Sequence, residues 1–154
     1  MLNLSRYNII LASNSPRRKE LLSGLNIPYE IKTLPDIDES YPDNLTGEDI
    51  AIDQLDENTL LITADTIVLL DGKVYGKPSD ETDAKQMLRD LSGKTHQVMT
   101  GVCITTKDKQ VSFGVSSEVR FSKLDDDEIE YYVSNYKPFD KAGAYGVQEW
   151  IGYV

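Results

Sequence analysis

Ser13-Asn-Ser-Pro-Arg-Arg-Lys-Glu-Leu-Leu22 decides how this chain is read. Before it, Tyr7-Asn-Ile-Ile-Leu-Ala12 is a short Ile- and Leu-rich run of the kind that forms a buried strand. After it, Glu20, Leu21, Leu22 and Leu25 have helix-forming chemistry with an apolar face, which Gly24 and Asn26 close. Between strand and helix stand two hydroxyls, a proline suited to the first helical position and two adjacent arginines. Free N–H groups at a helix start attract anions, and Arg17 and Arg18 add fixed charge and forked donors. The stretch is therefore a candidate phosphate-holding site. From spacing alone, a helix cap beside two surface arginines reads equally well.

Working outward, Pro28-Tyr-Glu-Ile-Lys-Thr-Leu34 alternates as a strand, and an acidic, turn-rich stretch runs from Pro35 to Asn44. Thr46-Gly-Glu-Asp-Ile-Ala-Ile52 opens as a capped helix and stops after about two turns. Leu60-Leu-Ile-Thr-Ala64 reads as a buried strand delivering Asp65 and Thr66 at its end. Ile67–Leu70, the Asp71-Gly72 turn and Lys73–Tyr75 form a hairpin pattern. Ser79 is the expected cap of a helix with Ala84, Met87, Leu88 and Leu91 on one face, ended by Gly93.

Thr95–Thr106 and Gln110–Leu124 read as a long antiparallel hairpin. A further helix follows, with acidic Asp125–Glu128 in its first turn and Ile129, Tyr132, Val133 and Tyr136 expected to be buried. A Gly-rich loop, Asp140-Lys-Ala-Gly-Ala-Tyr-Gly-Val-Gln148, comes last. Strands and helices in this order predict an α/β or α+β fold with a mixed sheet.

A length of 154 residues suits one compact domain, with room for two lobes around a cleft. Sixteen basic and 26 acidic residues give a net charge of −10, which argues against loose binding to nucleic acid or anionic membrane. A small anion remains compatible where local charge is positive or a divalent cation intervenes. The single Cys103, in an apolar run, cannot pair within the chain and reads as a small buried side chain. With no basic-then-apolar signal at the N-terminus, the expected location is cytoplasmic.

Three polar groups stand at expected element ends. Ser13, Ser15, Arg17 and Arg18 form the first. Asp65-Thr66 is the second, where a carboxylate can hold Mg²⁺ or Mn²⁺, orient a water, or simply cap nearby N–H groups. Gly76-Lys77-Pro78 with Lys94 and Lys141 is the third, and its lysines convey little unless they converge. His96, the one histidine, lies early in a strand and reads as structural. The chain carries no Walker loop, dinucleotide glycine fingerprint, Cys/His zinc pattern or Ser-His-Asp arrangement.

Five stretches in order resemble the Maf family of nucleotide pyrophosphatases, once described as septum-formation inhibitors. They are Ser13–Leu22, Thr63-Ala-Asp-Thr66, Gly76-Lys-Pro78, Ser92-Gly-Lys-Thr-His-Gln-Val-Met-Thr-Gly-Val102 and Asp140–Gln148. The resemblance implies an α/β fold related to the inosine triphosphate pyrophosphatases, with a mixed sheet and two lobes around a cleft. It implies hydrolysis of a nucleoside triphosphate between the α and β phosphates, assisted by Mg²⁺ or Mn²⁺, in a homodimer. By motif, Ser13, Arg17 and Arg18 would hold the triphosphate and Lys77 would contact phosphate. Asp65 would be general base or metal ligand, and Glu39 (alternatively Asp38) its acidic partner at the metal. Thr66 and Gln148 resemble the branch acting on dTTP and UTP, since a hydroxyl and an amide can read the O4/N3 edge of a pyrimidine.

The chain also departs from the family. Members continue the helix begun at Thr46 into a lysine-alanine pair of the active site, whereas here Ile52 leads to Asp53-Gln-Leu-Asp-Glu57. Members also run on to an Asn-Val/Gly-Leu-Pro segment, whereas this sequence stops at Glu149-Trp-Ile-Gly-Tyr-Val154. It reads as a single Maf-like domain over 1–154, without an internal helical segment near 52–55 and without the usual C-terminal end. Those pieces are either lost from the protein or not carried in this sequence. Real loss would favour a catalytically impaired nucleotide-binding regulator of cell division. A module binding some other anion through its arginines is the remaining alternative.

Overall fold

A computed structural model describes residues 4–32 and 55–154. The expected helix from Thr46 and the acidic stretch holding Asp38 and Glu39 lie outside the described residues. So does the departure at 52–54.

The first elements follow the expected order: β1 (Asn8–Leu11), α1 (Pro16–Ser23) and β2 (Glu30–Ile31). In α1 the Ser15 hydroxyl accepts the Arg18 N–H and Pro16 takes the first turn, as the sequence proposes. β3 (Thr59–Leu70) lies parallel to β1, Ile10 opposite Leu61, and β1 lies parallel to β2. The hairpin to β4 (Lys73–Tyr75) turns through Asp71 and Gly72, both at positive φ (50° and 80°). That is the turn whose twist matches the strands it joins.

α2 (Glu81–Leu91) buries Ala84, Leu88 and Leu91. Its cap is Asp80, not Ser79: the Asp80 carboxylate accepts the Asp83 N–H at 2.8 Å. Ser79 instead donates its N–H and O–H to the Asp83 carboxylate. A carboxylate is a strong acceptor at a helix start, and a serine one residue upstream serves as donor.

β5 (Thr95–Thr105) and β6 (Gln110–Arg120) are neighbours in the sheet, joined by a tight turn with Thr106 N–H on Lys109 C=O at 2.8 Å. So short a link permits only antiparallel pairing. α3 (Asp126–Tyr136) starts from a full capping box, Asp125 and Glu128 each accepting the other's backbone N–H. It buries Ile129, Tyr132 and Val133. Tyr136, expected in the core, is 37% exposed and stacks on the Tyr132 ring, because Lys137 ends the helix in a left-handed turn just beyond it.

The sheet is mixed and six-stranded, in the order β2-β1-β3-β5-β6, with β4 on β3. The chain divides into two compact units, Met1–Asp65 with Gly101–Gly114, and Thr66–Thr100 with Val115–Val154. In the first, Ile10 and Leu61 pack with Ala12 and Leu55. In the second, Val68, Leu70, Leu88, Ile129, Tyr132 and Val133 belong to one larger core. Burying each of these leucines contributes about 2 kcal/mol. Across the helices of this unit, Lys85 reaches Glu130 at 2.6 Å and Arg89 reaches Asp126 at 2.9 Å. Being exposed, such pairs contribute little.

β3 corrects one expectation. Asp65 and Thr66 do not end a strand; they lie midway along a continuous one. Its fully buried positions are odd in the first half (Thr59, Leu61) and even in the second (Val68, Leu70), so one strand supplies both cores.

Gly143 is the position where glycine is required. Its φ is +70°, and a Cβ there would stand 2.9 Å from Val68 Cγ2. Gly143→Ala is expected to destabilise the protein by roughly 2–4 kcal/mol, from left-handed strain plus a clash in a packed core. Gly76→Ala, where a Cβ meets nothing within 4 Å, should change stability little. Denaturant melts of the two variants provide the comparison.

Candidate active site

In the first unit, Ser13 is buried at the end of β1. Its hydroxyl accepts the Ser15 N–H at 3.2 Å and an Arg18 Nη1–H at 3.4 Å. The same Arg18 nitrogen donates to the Ala64 carbonyl at 2.5 Å. The guanidinium thus joins the opening motif to the residue just before Asp65, which is half-buried. Arg17 points elsewhere: it is exposed and pairs with Glu20 at 2.8 Å. Of the expected triphosphate group, the structure brings together Ser13, Arg18 and the backbone beside Asp65. Among the described residues no cluster of three or more His, Cys, Asp or Glu could hold a metal by itself.

In the second unit, Thr66 is half-buried with its hydroxyl 2.9 Å from that of Thr100. Lys77 is exposed in the loop after β4. The Gly76 carbonyl accepts the Gly143 N–H at 3.0 Å, so the Gly76-Lys77-Pro78 loop is tied to the Gly-rich loop. Three of the sequence stretches therefore meet here, because His96 of the fourth contacts Tyr145 of the fifth. Its Nε2 lies 2.7 Å from the Tyr145 hydroxyl, and Phe121 packs edge-on against both rings. His96 is buried, with no hydrogen-bond partner for Nδ1 among the described residues. Leaving a lone pair bare costs less than leaving an N–H bare, which places the proton on Nε2. The structural role expected for His96 fits these contacts.

Lys141 is not available as a lone cation. It reaches Asp140 at 3.0 Å and Glu149 at 3.3 Å. Burial lowers its pKa, yet the two carboxylates outweigh this and hold it above the usual lysine value. Lys94 is exposed. Of the expected third group, Lys141 is thus committed to carboxylates.

Gln148 is exposed in the turn Gly146–Glu149, which closes through Glu149 N–H on Gly146 C=O at 2.9 Å. Two residues that the sequence reading did not single out as functional act on this turn. Tyr132 accepts the Gly146 N–H at 3.0 Å and donates its own O–H to the Glu149 carboxylate. Tyr132 falls on the apolar face of α3, where its periodicity announces core and conceals the hydroxyl. Glu149 gave no sign beyond standing next to Gln148.

The mixed sheet with flanking helices defines an α/β fold. A solved structure titled as the Ham1 protein of Staphylococcus aureus shares it, at a TM-score of 0.51 and 14% identity over 73% of this chain and 71% of that one. The family described as "Maf-like protein" matches residues 8–154, and the chain belongs to the Maf family. Three similar curated relatives are each named dTTP/UTP pyrophosphatase. The one from Phocaeicola vulgatus is 59% identical over 99% of this chain and 84% of its own length. The one from Porphyromonas gingivalis is 51% identical over 99% and 83%, and the one from Christiangramia forsetii 46% over 98% and 82%. The first alignment spans 163 positions against 154 residues here, so at least nine positions (163 minus 154) have no counterpart in this chain.

His96 gives a pH test. Burial holds its pKa below the ordinary 6.5. The unfolded chain therefore takes up a proton near that value while the folded chain does not, and stability falls as pH drops. The melting temperature should be level above about pH 7 and decline between about pH 6.5 and 5. His96→Gln should lower that slope, as thermal melts across the range would reveal.

Proposed function

We propose that this chain is a nucleoside triphosphate pyrophosphatase that hydrolyses dTTP and UTP between the α and β phosphates, releasing the nucleoside monophosphate and pyrophosphate. One observation carries the reading: Arg18 joins the Ser13 hydroxyl to the strand at Ala64, beside the Asp65 carboxylate. Anion donors and a base are thereby held on one small framework. Membership of the family and the names of its relatives supply the substrates.

In this reading Ser13, Arg17 and Arg18 hold the triphosphate, and Lys77 adds a further cation. Arg17 would exchange its exposed pairing with Glu20, a weak one, for phosphate oxygens. Asp65 either draws a proton from the attacking water or helps hold a divalent cation, with Glu39 as its partner. Negative charge builds on phosphate oxygens and leaving pyrophosphate, and Arg18, already oriented by Ser13 and Ala64, would meet it without reorganising. Thr66 and Gln148 read the pyrimidine edge, a hydroxyl and an amide suiting O4 and N3–H.

Mg²⁺ or Mn²⁺ belongs to the same proposal. Mg²⁺ is commonly held by one or two carboxylates plus substrate phosphates, and the hard oxygens of Asp65 fit that donor class. When bound, the cation would supply charge neutralisation at the phosphates. The reading also places the protein in the cytoplasm as a homodimer, which light scattering of the purified chain can weigh.

With Mg²⁺ present, dTTP and UTP should yield pyrophosphate as first product. Asp65→Asn should lower kcat by roughly 10²- to 10⁴-fold, the range of general-base assistance. Orthophosphate released first would overturn α–β cleavage. Nucleotide binding by calorimetry without turnover of either substrate would overturn the enzyme reading.

A further inference from the structure

One hydroxyl group secures both ends of the turn that carries Gln148. The Tyr132 oxygen accepts the N–H of Gly146, where the turn begins, and its proton goes to the carboxylate of Glu149, where the turn ends. A phenol donates one hydrogen bond, so that donor is fully committed. The ring cannot swing away, because Tyr132 is wholly buried on α3. Burial, then the Glu149 carboxylate, push its pKa far above the tyrosine range, so the hydroxyl stays a donor at any working pH. The other Glu149 oxygen faces Lys141 Nζ at 3.3 Å. Gln148 itself lies over Gly146: a Cβ on that glycine would come within 3.1 Å of Gln148 Nε2 and 3.2 Å of Lys141 Cε. The amide thus rests on a backbone surface that Tyr132 and Glu149 hold in place.

We infer that Tyr132 and Glu149 are positioning residues for base selection, fixing the Gly146–Glu149 turn so that the Gln148 amide meets the O4/N3 edge of a pyrimidine in one orientation. The inference rests on the reading of Gln148 as a base contact. It predicts that these two residues, neither touching substrate, set how well the protein separates UTP from CTP, which differ at that edge.

The test measures kcat/KM for pyrophosphate release from UTP and CTP in the wild type, Tyr132→Phe, Gln148→Ala and the double variant. Tyr132→Phe should lower the UTP-over-CTP ratio by about five- to tenfold, the scale of one lost hydrogen bond, mostly through KM for UTP. Its kcat for UTP should stay within about twofold, since no group at the reacting phosphates changes. The double variant should lose no more selectivity than Gln148→Ala, because both changes act through one amide. Glu149→Gln, which keeps an acceptor for the Tyr132 hydroxyl, should hold the ratio, and Glu149→Leu should lower it as Tyr132→Phe does. Melting temperatures identify any variant that fails to fold, and Glu149→Leu then serves in place of Tyr132→Phe.

An altered ratio in Gln148→Ala with an unchanged one in Tyr132→Phe overturns the inference alone. Additive losses in the double variant do the same. A wild-type ratio near one, or an unchanged ratio in Gln148→Ala, overturns the base-reading role of Gln148 and the inference with it.

Discussion

The structure depends on β3 doing two jobs without a break. Its first residues complete a parallel ladder with β1, and its last ones an antiparallel hairpin with β4. A strand's side chains alternate, so a continuous strand that fills one core with odd positions and another with even ones must change over somewhere along its length. The changeover covers the half-buried run from Ile62 to Ile67. Asp65 and Thr66 lie inside it. Residues there are not needed to fill either core, and polar groups can be accommodated without an orphaned charge in an apolar interior. The strand's backbone pairing keeps them rigid. A carboxylate on a strand is a better-fixed group than one on a loop.

The Gly-rich loop is held differently, by several contacts of unlike chemistry. Gly143 takes a left-handed conformation against Val68 and donates to Gly76. Tyr145 meets His96 and Phe121 in edge-to-face contacts that favour one ring arrangement. Tyr132 engages Gly146 and Glu149. Each contact alone is modest, about 1 kcal/mol for a hydrogen bond. Spread over a short loop, they remove its freedom at nearly every residue. The contacts explain why a loop with only one short 3-10 turn, Ala142–Ala144, has four consecutive buried residues, Gly143 to Gly146.

Much of this was legible in the chain, and the failures have physical causes. The start of α1, the acidic first turn of α3, the Asp71-Gly72 turn and the apolar face of α2 follow from local rules that tertiary packing did not override. The polar pair Asp65-Thr66 separates two apolar runs, Leu60–Ala64 and Ile67–Leu70, so the sequence reads as a strand ending at Asp65 and a separate hairpin arm. The strand nevertheless runs on from Thr59 to Leu70, through the polar pair and into the hairpin with β4. Ser79 is the expected cap of α2, and the hydrogen bonds of Asp83 show that the neighbouring Asp80 takes that place. In the candidate site, Ser13 and Arg18 could be found by motif, whereas the Ala64 carbonyl that Arg18 reaches cannot, since any residue type supplies one. Tyr132 was legible as core and hidden as a polar group, because periodicity records the ring and not the oxygen at its tip.

The charges also sort the two motifs that carry basic residues. In a chain of net charge −10, an anionic substrate needs local cations that are not already neutralised. Lys141 fails this condition. With Asp140 and Glu149 around it the loop carries net negative charge, and its lysine is spent on holding the turn. Arg18 donates to a hydroxyl and to a carbonyl, contacts that orient its guanidinium beside the opening motif. In the proposed reading the opening motif meets the polyphosphate, and the Gly-rich loop, which carries net negative charge, offers the uncharged Gln148 amide to an uncharged base.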